Sequence, residues 1–128
     1  MLQGEAYPDP YLELLRLGAE SEHIESAVTV TLLLDGALVT GTVVSTDTWE
    51  RLHLGQLRGQ DGDLYRTVRE AIWHLDDAAE KGRRRRQQDR RFLHLRDVTY
   101  RSGRTTHTLP AWRGPVTAIS GWTLGHPA

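Results

Sequence analysis

The clearest hydrophobic pattern in the chain is a pair of β-branched runs over residues 28–44, joined by Asp35-Gly36. In the first run, apolar side chains alternate with threonines at a period of two, which predicts a half-buried strand. An Asp-Gly pair suits a two-residue turn because both central positions need a positive φ. We therefore predict a β-hairpin over residues 27–45, with a bulge or bend at Gly41 inside its second strand.

Two helical patterns lie on either side of this hairpin. Residues 9–17 predict a short helix that is capped by Asp9 and begins at Pro10, with one apolar face. That face is formed by Tyr11, Leu12, Leu14, Leu15 and Leu17. After the hairpin, residues 46–91 predict a helical insertion that carries an arginine-rich run.

Within the insertion, the spacing predicts a short helical turn over 46–57, a loop over 58–62 and a helix from Asp63 to about Lys81. Apolar residues repeat there at i+3 and i+4, Asp63 is placed to cap the start, and Gly82 is placed to end the helix. The arginines after Gly82 then fall between this helix and the next strand.

Strand patterns return over residues 92–124. Phe92 begins a run that ends in a Ser102-Gly103 turn, a second strand follows, and a last strand runs from about Val116 to Leu124 with a bulge at Gly121. The whole chain, residues 1–128, is predicted to be one α+β domain. We expect its strands to form a strongly bent antiparallel sheet, with the strand from Phe92 paired to the strand from Ala37.

A nearly neutral net charge of −1 hides two opposed blocks of charge. Residues 1–26 hold six acids against one arginine, whereas residues 81–91 hold one lysine and six arginines against one acid. The basic block permits three interpretations: a solvated linker, a nucleic-acid patch, or a docking patch for an acidic protein surface. The residues concerned are Arg83, Arg84, Arg85, Arg86, Arg90 and Arg91.

Docking is the favoured interpretation of the basic block. Single-stranded nucleic-acid sites usually interleave aromatic side chains with cations, and Phe92 is the only aromatic residue close by in the sequence. The acidic N-terminal block offers a complementary protein surface instead. We therefore expect self-association into homo-oligomers through opposite charges.

The polar residues give little support to catalysis or metal binding. The chain has no cysteine, and its six histidines show none of the usual metal-ligand spacings. His94 alternates with Leu93 and Leu95, which predicts a solvated or hydrogen-bonded strand face. We expect no enzyme activity, no cofactor and no metal.

The N-terminal residues lack the pattern of a signal peptide, and no apolar run is long enough to span a membrane. With the absence of cysteine, this predicts a soluble cytoplasmic protein without a membrane partner. Of the four tryptophans, Trp112 and Trp122 are predicted in the core or at its rim, and Trp49 and Trp73 are suited to anchor an interface.

Several segments resemble the small Sm-like barrels, which also place a short helix before five strongly bent strands. Residues 35–47 resemble the second strand of these proteins, 93–98 the third, and Trp112-Arg113-Gly114 the segment that opens the last. This resemblance implies an Sm-like or SH3-like barrel, with RNA binding as the alternative function. Phe92 stands where Sm-like proteins carry a base-binding asparagine.

A second set of motifs resembles the U-type gas-vesicle accessory proteins. These motifs are Gly41-Thr42-Val43, residues 92–97, Trp112-Arg113-Gly114 and residues 121–125, of which the last, Gly-Trp-Thr-Leu-Gly, is the most specific. The resemblance implies a non-enzymatic accessory factor that clusters or remodels gas vesicles, or assists their assembly. Its partners would be gas-vesicle proteins or the vesicle surface, with Trp112, Arg113 and Trp122 joining the arginines as candidate interaction residues.

Overall fold

A computed structural model describes residues 9–21, 27–89 and 91–127, apart from the side chains of 88 and 89. Four α-helices and five strands lie within these residues. The helices are α1 Pro10–Ala19, α2 Thr46–Gln60, α3 Gly62–Asp77 and α4 Ala79–Asp89. The strands are β1 Thr29–Leu34, β2 Ala37–Val44, β3 Phe92–Ser102, β4 Thr105–Pro115 and β5 Gly121–Leu124, and a 3₁₀ turn at Val116–Ala118 precedes β5.

The strands form one antiparallel sheet in the order β4-β3-β2-β1-β5. The predicted hairpin is confirmed, since β1 pairs with β2 across Asp35 and Gly36, whose φ angles are 47° and 78°. The predicted pairing of the strands from Ala37 and Phe92 is also confirmed. The α+β class is therefore confirmed, whereas β4 and β5 form the two edges of a sheet that is not closed. The predicted barrel is thus not confirmed.

The predicted irregularity at Gly41 is a bulge whose extra residue lies on the partner strand. Thr40 pairs with Thr99 and Thr42 pairs with Arg96, so Gly41 faces two residues of β3. One of these two, Asp97, has a φ of 51°, in the left-handed region. The extra residue reverses the alternation of β3, so that Val98 is buried on the same core as Leu93 and Leu95.

The core lies between one face of the sheet and α1. Its buried residues come from β1, β2 and β3, from Leu12 and Ala19 of α1, and from Val116 of the 3₁₀ turn. The single apolar face predicted for residues 9–17 is wrong in part. Leu12 turns inward, whereas Tyr11, Leu14 and Leu17 are exposed by 73%, 65% and 52% because they lie on the opposite side of the helix.

The insertion is more helical than predicted. The expected loop over 58–62 is wrong, because α2 continues to Gln60 and α3 begins two residues later. Asp61 makes this tight junction possible, since its Oδ1 accepts hydrogen bonds from the amides of Asp63 and Leu64 and so caps α3. Asp61, and not Asp63, is therefore the capping residue.

Gly82 does not end a helix. It lies inside α4, is buried, and has little room for a side chain, since an added Cβ would lie 3.1 Å from the Leu75 carbonyl oxygen and 3.2 Å from the Asp76 Cα. Gly82 therefore allows α4 to approach the end of α3 closely. The arginine run is accordingly part of a helix and does not form a linker.

The last strand also begins later than predicted. Residues 116–118 form the 3₁₀ turn, and Gly121 begins β5 opposite Leu33. The bulge predicted at Gly121 is not found in the register of β5 with β1, because the change of chain direction takes place in the preceding turn.

We predict that Gly41→Ala lowers the free energy of unfolding by about 1–3 kcal/mol. The added Cβ would lie 2.9 Å from Val98 Cγ2 and 3.1 Å from the Arg96 carbonyl oxygen, so β3 would have to move. Gly55→Ala is the matched control because Gly55 is in α2 with nothing within 4 Å. It should raise stability by roughly 0.5–1 kcal/mol. Urea unfolding measures both changes, and equal effects would contradict the close approach at the bulge.

Candidate functional site

The arginine run covers about one full turn of α4, so its members point in different directions and divide into anchored and exposed arginines. Arg85 is the anchored member, with its side chain 23% exposed. Arg83, Arg84 and Arg86 are exposed, and we call these three the exposed arginines. Arg84 forms a surface pair with Glu80, and within the described residues Arg83 and Arg86 form no ion pair.

Arg85 connects the three helices of the insertion. Its Nη1 donates to Glu50 Oε2 in α2 at 2.7 Å, while Nε and Nη2 donate to the two carboxylate oxygens of Asp76 in α3 at 3.0 and 2.9 Å. Burial disfavours the charge, but the hydrogen bonds that Arg85 donates to Glu50 and Asp76, with the negative charge of these carboxylates, outweigh it and raise the pKa of Arg85. Arg85 therefore stabilises the insertion, and the exposed arginines are presented on a fixed helix.

A second group of polar and aromatic side chains lies where α2 packs on β3 and β4. We call it the helix–sheet junction, and its members are Trp49, His53, Phe92, His94 and Arg113. The Arg113 guanidinium carbon lies 4.2 Å from the centre of the Phe92 ring and 5.1 Å from that of Trp49. Trp49 in turn stacks on His53, with ring centres 4.7 Å apart, and tilts against His94 at 5.3 Å.

The prediction that His94 lies on a solvated or hydrogen-bonded strand face is wrong. His94 is only 1% exposed, because the insertion covers the face of β3 that the sequence pattern assigned to solvent. Both ring nitrogens of His94 and the indole nitrogen of Trp49 are buried, and none has a hydrogen-bond partner in the part of the chain that the structure describes. Such groups are uncommon in folded proteins because each forgoes its hydration.

Burial lowers the pKa of His94 from 6.5 to about 4, and the positive charges of Arg113 and Arg16 act in the same direction. The folded state therefore binds fewer protons than the unfolded state between these two pH values. The stability that the uncharged His94 ring contributes to the folded state is therefore complete above pH 6.5 and declines as the pH falls toward 4.

The other predicted interaction residues have contacts of their own. Trp112 is half-buried against the core, and its ring lies over Gly114, where an added Cβ would come within 2.6 Å of Cζ2. Trp122 also packs on the core, and its Nε1 donates to Asp9 Oδ2 at 3.2 Å. This hydrogen bond, with those from the α1 amides, lowers the pKa of Asp9. The core positions predicted for both tryptophans agree with these contacts.

The basic block is only partly brought together. Arg91 is exposed in the turn before β3, whereas Arg90 lies outside the described residues. Arg113 lies at the helix–sheet junction and not with α4. Of the two predicted interface anchors, Trp49 packs within the chain and Trp73 is 62% exposed on α3.

Sequence reasoning missed the acids that hold Arg85, Glu50 and Asp76. A helical interpretation of residues 79–89 would have placed Arg85 on the same side as Gly82, three residues before it, and so toward α3. No local signal connects Glu50 to the run, because that contact depends on how α2 and α4 pack.

Among the described residues, no three histidine, aspartate or glutamate side chains come together as a metal site. Every described helix is too short or too polar to cross a lipid bilayer. The architecture is that of an α+β protein in which a helical insertion packs on an antiparallel sheet and presents a basic helix.

The family model for gas vesicle protein GvpU-like matches residues 9–127, and the chain belongs to this family. It is therefore a gas-vesicle-associated protein, as the motifs at 41–43, 92–97, 112–114 and 121–125 indicated. Comparison with curated proteins and with solved structures gave no significant match.

We predict that Arg85→Gln lowers the free energy of unfolding by about 1–3 kcal/mol, because it leaves two carboxylates without their guanidinium. Arg84→Gln is the matched control. It removes the same charge from an exposed i,i+4 pair and should cost about 0.3–0.5 kcal/mol. Thermal and urea unfolding measure both variants, and equal stability of the two would show that the Arg85 contacts do not hold the helices together.

Proposed function

We propose that this protein is a non-enzymatic, cytoplasmic accessory factor that clusters or remodels gas vesicles, or assists their assembly, through protein–protein contacts. The observation that supports this most directly is the set of exposed arginines on α4, a helix that Arg85 fixes to the rest of the insertion. Such a surface suits an acidic patch on a gas-vesicle protein.

The proposed docking surface consists of the exposed arginines together with Arg91. Trp112 and Trp122 are engaged by the core and Arg113 by the helix–sheet junction, which favours structural roles for these three in the free protein. Guanidinium groups can form paired hydrogen bonds with carboxylates, which adds geometric specificity to charge attraction.

We also propose that the sheet, although its edge strands β4 and β5 do not pair, is an open, bent form of the small Sm-like or SH3-like barrels. Support comes from the bulge at Asp97, which increases local twist, and from a strand order that keeps β1, β2, β3 and β4 sequential neighbours. The proposed docking does not depend on closure of the sheet.

Replacing all three exposed arginines, by Arg83→Gln, Arg84→Gln and Arg86→Gln, should weaken binding to purified gas vesicles roughly tenfold at low salt. Co-fractionation by centrifugation measures the bound fraction. The matched control carries Arg66→Gln, Arg69→Gln and Arg104→Gln, which remove the same charge from exposed sites on α3 and in the β3–β4 turn.

An equal loss in both triple variants would show that only total charge matters, and no loss in either would exclude this surface. RNA binding is tested on the same samples. Submicromolar, sequence-dependent affinity for an oligonucleotide at physiological salt would favour nucleic-acid binding over protein docking as the function of this surface.

We further propose that copies of the chain associate through the same basic surface and the acidic block of residues 1–26. A single exposed ion pair contributes only about 0–1 kcal/mol, so several pairs must act together. Light scattering should detect large species at low salt that dissolve at 1 M salt, where the Debye length is about 3 Å. The exposed-arginine variant should lack them at every salt concentration. Salt-independent species would instead indicate apolar or strand-edge contacts.

A further inference from the structure

The helical insertion joins the sheet at few places. Helix α3 packs on both α2 and α4, and α2 supplies the main contacts of the insertion with β3 and β4. Arg85 of α4 holds the three helices to one another, because the two acids that it binds, Glu50 and Asp76, lie in α2 and α3. The insertion is therefore more firmly connected internally than it is to the strands.

The two ends of the insertion lie on neighbouring strands. The chain leaves β2 at Val44, which pairs with His94, and it returns at Arg91, whose carbonyl oxygen accepts a hydrogen bond from the Val116 amide. Both connections to the sheet are thus fixed at one end of β2 and β3. A body attached in this way can swing away without breaking the strand pairs.

The main contact between the insertion and the sheet is the helix–sheet junction, and Thr46 at the start of α2 also donates two hydrogen bonds to Glu20 Oε1. His94 pairs in register with Val44 of β2 and Arg113 of β4, and the Trp49 ring of α2 lies against it. Burying Trp49 on His94 leaves three polar ring atoms without a hydrogen-bond partner among the described residues, which lowers the stability of this contact.

The charged groups around His94 oppose a proton on its ring. Arg113 approaches from β4 and Arg16 from α1, and on α2 the nearest members of the junction are Trp49 and the His53 ring stacked on it. Val44 of β2 adds no charge. The acids of α1 and α2 are Glu13, Glu20, Asp47 and Glu50. Glu13 is paired with Arg16, Glu50 is paired with Arg85, and Glu20 accepts hydrogen bonds from Thr46.

We propose that the helical insertion is a detachable flap, and that protonation of His94 releases it from the sheet. In the released state the imidazolium is hydrated, and Trp49 no longer covers it. This inference does not rest on the proposed gas-vesicle function.

The expected coupling follows from the two protonation states. In the released state His94 titrates near its ordinary pKa of 6.5, and in the docked state near 4. The equilibrium constant for release should therefore rise by about twentyfold as the pH falls from 6 to 4.5.

Hydrogen exchange of the full chain at pH 7, 5.5 and 4.5 tests the proposal. Amides of α2, α3 and α4 should lose protection as the pH falls, relative to amides of β1 and β2 in the same sample. His94→Gln, which cannot be charged, should remove this selective loss. The matched control His107→Gln changes an exposed histidine of β4 and should behave like the unmodified protein.

A second measurement keeps the test decisive if His94→Gln does not fold. The ring proton signals of His94 in the unmodified protein should change over the same pH range in which the helices lose protection. The proposal would be overturned if the helices and strands β1 and β2 lost protection together. It would also be overturned if His94 titrated in a different pH range from the one in which the helices lose protection. Release that persists in a folded His94→Gln variant would also overturn it.

Discussion

The contact between Trp49 and the face of β3 that carries His94 holds the two parts of this protein together. Arg113 contributes to it from β4, since its guanidinium lies over both Trp49 and Phe92. An arginine can be partly buried in this way at a lower cost than a lysine, because its planar, weakly hydrated cation stacks on aromatic rings. Without this contact, α2, α3 and α4 would have little attachment to the sheet.

The two faces of the sheet are covered in chemically different ways. On one face, aliphatic side chains of β1, β2 and β3 pack with Leu12 of α1. On the other, near the ends of β2 and β3, aromatic rings and cations replace aliphatic packing. Hydrophobic burial stabilises the first face strongly, whereas the second combines ring contacts with unsatisfied polar atoms. Stability is therefore unevenly distributed, and the insertion belongs to the less stable part.

Local rules were sufficient for the hairpin, because Asp35-Gly36 and the alternation of β1 both act within a few residues. They also located Gly41, although the extra residue of the bulge lies on β3 and only pairing could reveal it. His94 could not be predicted as buried, because alternation identifies two faces of a strand without identifying what covers the second. Arg85 was hidden for a similar reason, since its role depends on acids from two other helices.

The family resemblance rested on short motifs whose structural roles are now visible. Gly114 lies under the Trp112 ring, and Gly41 faces the bulge, so each of these glycines marks a close approach. Trp122 connects β5 to the start of α1 through Asp9. Those motifs describe how the sheet is held together, while the exposed arginines lie outside them.

The uniform composition of the arginine run has a consequence for changes in chain length. Gly82 favours one rotation of α4 because a side chain there would press on the backbone of α3, and the anchoring arginine lies three positions later. If one residue were inserted directly after Gly82, or one arginine deleted, that third position would still hold an arginine. A single-residue insertion or deletion would therefore still leave an arginine in place to bind Glu50 and Asp76. Only the positions of the exposed arginines would change.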